Sequence, residues 1–284
     1  MKEPEILKVI ASKLKELPES QRLLGEYILS NYKEVANLSA LDLGAKVGVS
    51  DATVVRFAKS LGYSGYPEIK TELFKYLTRE DDPSQKMIKA LGRMKKVNMA
   101  VTEVFENDIK NIQETFKSFS LENMESAVSA INKAQKIYIL GLNSCEALAG
   151  FLNFHLSRLC LNVKLITSSG LVMFEQLAFI TEADLLIVIS YPRYSRDSLD
   201  SIKLAKSVGA KVISITDKTF SPIAEASDIA LIAHSSSPGF YNSYAAATTI
   251  CNVLVLSMAM LDEKRSLKAL KTIEDFKKDH DLYI

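Results

Sequence analysis

Cysteine is scarce in this chain. Cys145, Cys160 and Cys251 are few, odd in number and scattered along 284 residues. That argues against a disulfide framework and a cysteine-based zinc site, and it fits a reducing, cytoplasmic setting. No apolar run is both long and uncharged enough to span a bilayer, so no membrane partner is expected. Met1-Lys-Glu-Pro-Glu5 opens on charge rather than on the apolar core of a signal peptide. An excess of one charge sign is missing too: the formal net charge is +1, so a nucleic-acid partner has to be argued from local pattern, not from a basic domain. Histidine occurs only at 155, 234 and 280, which restricts acid–base chemistry. There is no internal repeat and no low-complexity tract, and nothing in the pattern calls for a metal or a cofactor.

What is present is enough for two domains. The length suits two, and 48% apolar residues can build a sizeable core. Residues 1–80 read as short helices. Ile6, Leu7, Ile10 and Leu14 recur at helical spacing, and Pro18 starts a second helix with an apolar face of Leu23, Leu24, Tyr27 and Ile28. A third runs from an N-cap at Ser39 to Val47 and stops at Gly48. A fourth opens on Ser50 with Asp51 against the helix dipole and ends at Leu61-Gly62. Pro67 begins a fifth, carrying Ile69, Leu73 and Leu77. Asp81-Asp82-Pro83-Ser84 reads as a break, and Lys86 to Val97 as a basic connecting helix, so 81–105 is a connector. From 106 to 284 helical patterns alternate with β-branched runs at 136–140, 163–167, 185–189, 211–216 and 229–232. That alternation is the mark of βαβ units around a parallel, doubly wound sheet. Ligands in such sheets bind at the carboxyl ends of strands, which points to the loops 141–145, 167–170 and 190–196.

Leu38 to Gly62 has helix-turn-helix form, with Ala45 as the small residue at the helix crossing, Gly48 in the turn and Val49 plugging the gap. The second helix offers Ser50, Thr53, Arg56 and Lys59 on one side and Val54, Phe57 and Leu61 to a core. Its first residues would meet base edges in the major groove, while Arg56 and Lys59 reach phosphates or, for Arg56, a guanine. An ordinary helical hairpin has the same spacing. Val49-Ser-Asp-Ala-Thr-Val-Val-Arg-Phe57 followed by Leu61-Gly-Tyr-Ser-Gly-Tyr-Pro-Glu-Ile-Lys70 closely resembles the DNA-binding domain of the RpiR (MurR/RpiR) regulators. The resemblance implies homeodomain-like packing and a homodimer, or dimer of dimers, on double-stranded operator DNA. Its candidate contacts are Ser50, Asp51, Ala52, Thr53, Arg56, Lys59, Tyr66 and Lys70, with Lys70 equally readable as a solvated surface lysine.

The second half resembles the sugar isomerase (SIS) domain that such regulators carry as sensor, through Ile137–Gly141, Asp184–Ser190 and Ala205–Asp217 continuing to Asp228. Such sites capture phosphate with hydroxyls and backbone N–H groups at helix starts. The usual glycine-x-glycine-x-serine loop is here Gly141-Leu-Asn143-Ser144-Cys145, and the usual serine-x-serine-glycine-x-threonine/serine is Ser190-Tyr-Pro-Arg193-Tyr194-Ser195. Pro192 removes a backbone donor, and Arg193 brings a planar cationic fork suited to phosphate or carboxylate. Arg193 either grips an anionic metabolite, with Ser190 and Ser195 assisting and Tyr194 stacking, or pairs with an acidic neighbour. Ser168 and Ser169 are ligand hydroxyls or helix caps. Cys145, at a helix start, is either a thiol of lowered pKa or a packing residue. The apolar helix from Tyr244 to Leu261 suits a dimer interface or an ordinary core.

Three functions fit: a regulator that senses an anionic sugar derivative, a sugar-phosphate isomerase with an added helical domain, and a constitutive DNA-binding or assembly protein. Isomerases of this type need a glutamate or histidine near the sugar carbons. Residues 235–243 hold no glutamate, His155 sits among apolar residues in a helix, and only His234 ends a strand near the site. A non-enzymatic sensor is therefore expected.

Overall fold

The computed structural model describes residues 5–36, 38–80 and 82–281, with all their side chains except those of 5, 33 and 74–80. The side chain of Leu77, and Asp81 at the expected break, lie outside the described set. The chain divides into two compact units, residues 1–88 and 89–284.

The first unit contains α1 (Glu5–Lys13), α2 (Glu19–Val35), α3 (Ala40–Val47), α4 (Asp51–Ser60) and α5 (Tyr66–Glu80). Local chemistry sets several of these bounds. Ser39 and Asp42 form a reciprocal capping box at the start of α3, and Gly48 ends it in a left-handed conformation at φ 79°. Ser50 caps α4 by accepting from the Thr53 amide at 3.2 Å. The core is one cluster that includes Ile6, Ile10, Leu24, Ile28, Leu43, Val54, Phe57, Tyr66, Ile69 and Leu73. Leu23, expected on the inner face of α2, is 44% exposed, because Leu24 and Ile28 already fill that face. The close approach of α3 to the following turn falls at Gly44, not at the exposed Ala45. A Cβ on Gly44 would lie 2.7 Å from the Val49 carbonyl oxygen.

The boundary between the units falls inside α6 (Pro83–Arg93). In the second unit α7 (Val97–Lys117) passes unbroken through 105 and 106, so the sensor side of the expected connector is already regular helix. There follow α8 (Leu121–Lys133), β1 (Ile137–Gly141), α9 (Glu146–Ser157), β2 (Val163–Ile166), α10 (Gly170–Leu177), β3 (Leu185–Ile189), α11 (Arg196–Ser207), β4 (Lys211–Thr216), α12 (Pro222–Ala226), β5 (Ile229–Ile232), α13 (Ala245–Leu261) and α14 (Glu263–Asp279). All strands are parallel in the order β2-β1-β3-β4-β5, with Gly141 opposite Ile189 and Ile189 opposite Ile215. Side chains of α8, α9 and α13 pack one sheet face and those of α10, α11 and α12 the other. β1 and β3 are buried along their whole length, which is why they read as continuous apolar runs. Strand order reverses between β1 and β3, and in open α/β sheets ligands bind outside the carboxyl ends of the strands at such a switch point. Among the described residues no single helix is long and apolar enough to cross a membrane.

Candidate DNA-binding and effector sites

α4 presents two opposite faces. Thr53, Val54, Phe57 and Ala58 are buried against the unit's core, while Asp51, Ala52, Val55, Arg56 and Lys59 are exposed. The hydroxyls expected to read bases are already engaged. Ser50 Oγ caps the helix and lies 2.9 Å from Thr53 Oγ1, which also accepts from Arg56 Nη2 at 3.1 Å. Tyr66 requires a correction. It is 2% exposed, and its hydroxyl donates to the Val35 and Leu38 carbonyls at 3.1 and 3.3 Å. Burial, with the charge of Asp42, pushes its pKa well up. Tyr66 therefore locks the start of α5 onto the segment between α2 and α3 and does not face solvent. Lys70 is half-buried, and its charge helps hold the Asp42 carboxyl low, behind the larger effect of the Ser39 hydrogen bonds.

The effector candidates lie on three loops at the carboxyl ends of β1, β2 and β3. After β1, Gly141 is obligatory: a Cβ there would meet Ala149 Cβ and the Cys145 carbonyl oxygen, both at 2.6 Å. Asn143 is exposed in a left-handed conformation at φ 54°. Ser144 Oγ is 2.7 Å from the Tyr244 hydroxyl, which also lies 3.6 Å from Cys145 Sγ. Cys145 is buried, and burial raises its thiol pKa against the hydrogen bonds from Tyr244 and the Tyr191 amide. The lowered thiol pKa that a helix start suggested is thus overturned by desolvation. Cys251 is likewise buried, its thiol pushed up to about 12.

After β2, Ser168 is half-buried and Ser169 precedes α10 without capping it by its side chain. The Gly170 N–H donates instead to Asp197 Oδ2 at 2.8 Å, a carboxylate in the first turn of α11. After β3, Ser190 is 5% exposed and its hydroxyl has no hydrogen bond within the described residues. Its amide continues the ladder to the Ile215 carbonyl. Tyr191 is buried, its hydroxyl without a hydrogen-bond partner among the described residues, and its ring lies 5.4 Å from that of Tyr244. Arg193 is exposed at φ 71° and has no ion pair among the described residues, so the acidic neighbour considered for it is absent there. The residues on either side of it are pinned. Asn242 Nδ2 donates to the Pro192 carbonyl at 3.3 Å, and the Tyr194 hydroxyl donates to Asp217. Burial drives the pKa of both Tyr194 and Asp217 up. Ser195 caps α11 through the Ser198 amide at 3.1 Å, so its first duty is structural.

Four residues outside the expected set organise this edge: Asp197, Asp217, Asn242 and Tyr244. Asp217 ends a strand run and had a positional signal, but the other three meet the site only through tertiary contacts. The loop 234–243 is itself staked by α7. Asn107 and Asn111 donate to the Ser236 carbonyl, Asp108 accepts from Ser243 Oγ, and Thr115 Oγ1 accepts from the His234 amide. The His155 ring packs 4.4 Å from Phe151, as a structural residue would. Among the described residues no three His, Cys, Asp or Glu side chains converge on a metal-sized site.

Two family models match the chain: the helix-turn-helix domain of the rpiR family over residues 4–80 and the SIS domain over residues 130–257. Among curated relatives, the HTH-type transcriptional regulator HexR of Pseudomonas aeruginosa is 28% identical across 80% of this chain and 78% of its own. An HTH-type transcriptional regulator of Haemophilus influenzae is 25% identical across 90% and 89%. Among solved structures, the sugar isomerase domain of an RpiR transcription factor from Sphaerobacter thermophilus superposes with a TM-score of 0.60 at 29% identity, covering 61% of this chain and 97% of that one. The Vibrio vulnificus NanR protein complexed with ManNAc-6P gives a TM-score of 0.63 at 19% identity over 97% and 98%, a likeness of fold. The two models together span more than two thirds of the chain, and the protein belongs to the RpiR family of helix-turn-helix transcriptional regulators, with a C-terminal SIS domain.

Proposed function

We propose that the SIS domain senses an anionic sugar derivative, phosphorylated or acidic, and that this ligand alters the affinity of a dimer for its operator. The observation that carries the reading is Arg193. A non-glycine residue at φ 71° costs of order 1 kcal/mol and persists only where its surroundings impose it. Here Asn242 and the Tyr194–Asp217 bond impose it from both sides, leaving an exposed guanidinium with no ion pair among the described residues on the loop after β3. An unpaired fork of five donors suits a phosphate or carboxylate. Ser190, with its unengaged hydroxyl, Asn143 and Ser168 supply neutral polar groups on neighbouring loops. Ser144, Tyr194 and Ser195 act through the framework they already hold. NanR, which shares the fold, is complexed with a phosphorylated sugar, and that supports the ligand class.

The acid–base inventory supports sensing rather than turnover. The loop 235–243 offers no carboxylate, Glu114, beside His234, is bonded to Lys117, and the carboxylates at this edge, Asp197 and Asp217, hold the Gly170 amide and the Tyr194 hydroxyl. The test is a thermal-shift panel of phosphorylated, acidic and neutral sugars on the full chain, repeated with DNA. A ligand at 100 times its Kd stabilises by about 2.7 kcal/mol, well above detection. Arg193→Ala is expected to abolish the shift by anionic sugars. An unchanged response in that variant, or conversion of a phosphosugar by the wild type, overturns the proposal.

A further inference from the structure

We propose that Val55, backed by Ala52, reads a thymine methyl group in the operator half-site. The inference rests on the DNA-binding reading of α4 and goes beyond it by naming a specificity residue and the base feature it recognises.

At about 100° per residue, the four buried residues of α4 occupy one side of the helix, and Ala52, Val55, Arg56 and Lys59 fall opposite them. Val55 is 38% exposed, an apolar branch in the middle of a face whose other long side chains are cationic. In a helix-turn-helix domain this face enters the major groove. Every base-edge feature there is a hydrogen-bond donor or acceptor except one, the C5 methyl of thymine. The hydroxyls at the start of α4 do not compete for the reading role, because Ser50 and Thr53 are engaged in the helix cap and Thr53 also receives Arg56. Ala52 lies one turn before Val55 on the same face, so the two present a short methyl strip flanked by Arg56 and Lys59. Valine in a helix holds one dominant rotamer, so its methyls are placed before DNA arrives and little side-chain freedom is lost on contact.

The test uses the full chain and a random pool of duplex DNA. Sites are selected with wild type and with Val55→Ala, a substitution that favours helix at an exposed position. Wild type is expected to enrich a half-site with an invariant thymine. Replacing that thymine by uracil, which removes only the methyl, should weaken wild-type binding about fourfold, the transfer value of one buried methyl group. Val55→Ala should lose the preference and bind the thymine and uracil forms equally. An enriched site without an invariant thymine, or an equal uracil penalty in the variant, overturns the assignment of Val55 alone. Failure of the wild type to enrich any sequence overturns the DNA-binding reading on which it stands.

Discussion

Replacing Tyr194 by phenylalanine removes one oxygen and tests how the loop carrying Arg193 is held. The hydroxyl donates to Asp217, which is 3% exposed, and the alternatives are poor: Thr216 Oγ1 lies 3.4 Å and Lys218 Nζ 3.9 Å from its oxygens. A hydrogen bond to a buried charged acceptor contributes about 1.5–3 kcal/mol. For a unit of this size each kcal/mol corresponds to roughly 2–4 °C, so Tm should fall by about 3–12 °C. The effect depends on pH with a definite sign. Burial raises the pKa of Asp217 in the folded protein above its ordinary value, so the fold binds the proton more tightly and stability falls as pH rises through the raised pKa. The Tyr194 bond lowers that pKa, so its removal raises it further. The deficit of Tyr194→Phe should therefore be smallest on the acid side, where protonation spares Asp217 its buried charge, and grow as pH rises. Calorimetry across a pH series reads it directly, with Tyr194→Phe, Asp217→Asn as a companion variant lacking the titration. A deficit independent of pH, or one below about 1 °C at the alkaline end, refutes the argument.

Gly44→Ala should destabilise the helix-turn-helix. Propensity favours alanine by about 1 kcal/mol, but the new Cβ would sit 2.7 Å from a backbone oxygen, and overpacking costs about 1–3 kcal/mol. Gly92→Ala, with nothing within 4 Å, should gain the propensity term and serves as the control. Hydrogen exchange over residues 39–62 separates the two. Tyr66→Phe and Lys59→Ala should weaken DNA binding in different ways. The first removes a buried hydroxyl bonded to two carbonyls and lowers stability by about 1 kcal/mol with no change in the salt dependence of DNA affinity. The second leaves stability intact and reduces the slope of log affinity against log salt by about 0.9, the value of one phosphate contact.

Much of this protein is decided by local chemistry, and that part could be read from the chain alone. Ser39, Ser50 and Gly48 act within four residues of themselves, so the bounds of α3 and α4 follow from residue type. β3, β4 and β5 fall where their runs of β-branched residues predict, because a strand in a covered parallel sheet has no polar alternation to blur it. The altered loops at 141–145 and 190–195 were likewise visible, and with them the arginine that replaces a glycine. Tertiary structure decided which of those side chains are free. Tyr66 reads as a surface aromatic beside a recognition helix, yet two carbonyls more than 25 residues away bury it. Ala45 and Gly44 are equivalent as small residues, and only the path of the turn selects Gly44. Asp197, 27 residues from Gly170, takes the amide at the start of α10 in place of Ser169, and Asp217, 23 residues away, takes the Tyr194 hydroxyl. Hydrogen-bond capacity is a local property of a residue, but its occupancy depends on whichever group the fold brings within 3 Å. A sequence therefore shows what can bind, and the packed chain determines what is left to do so.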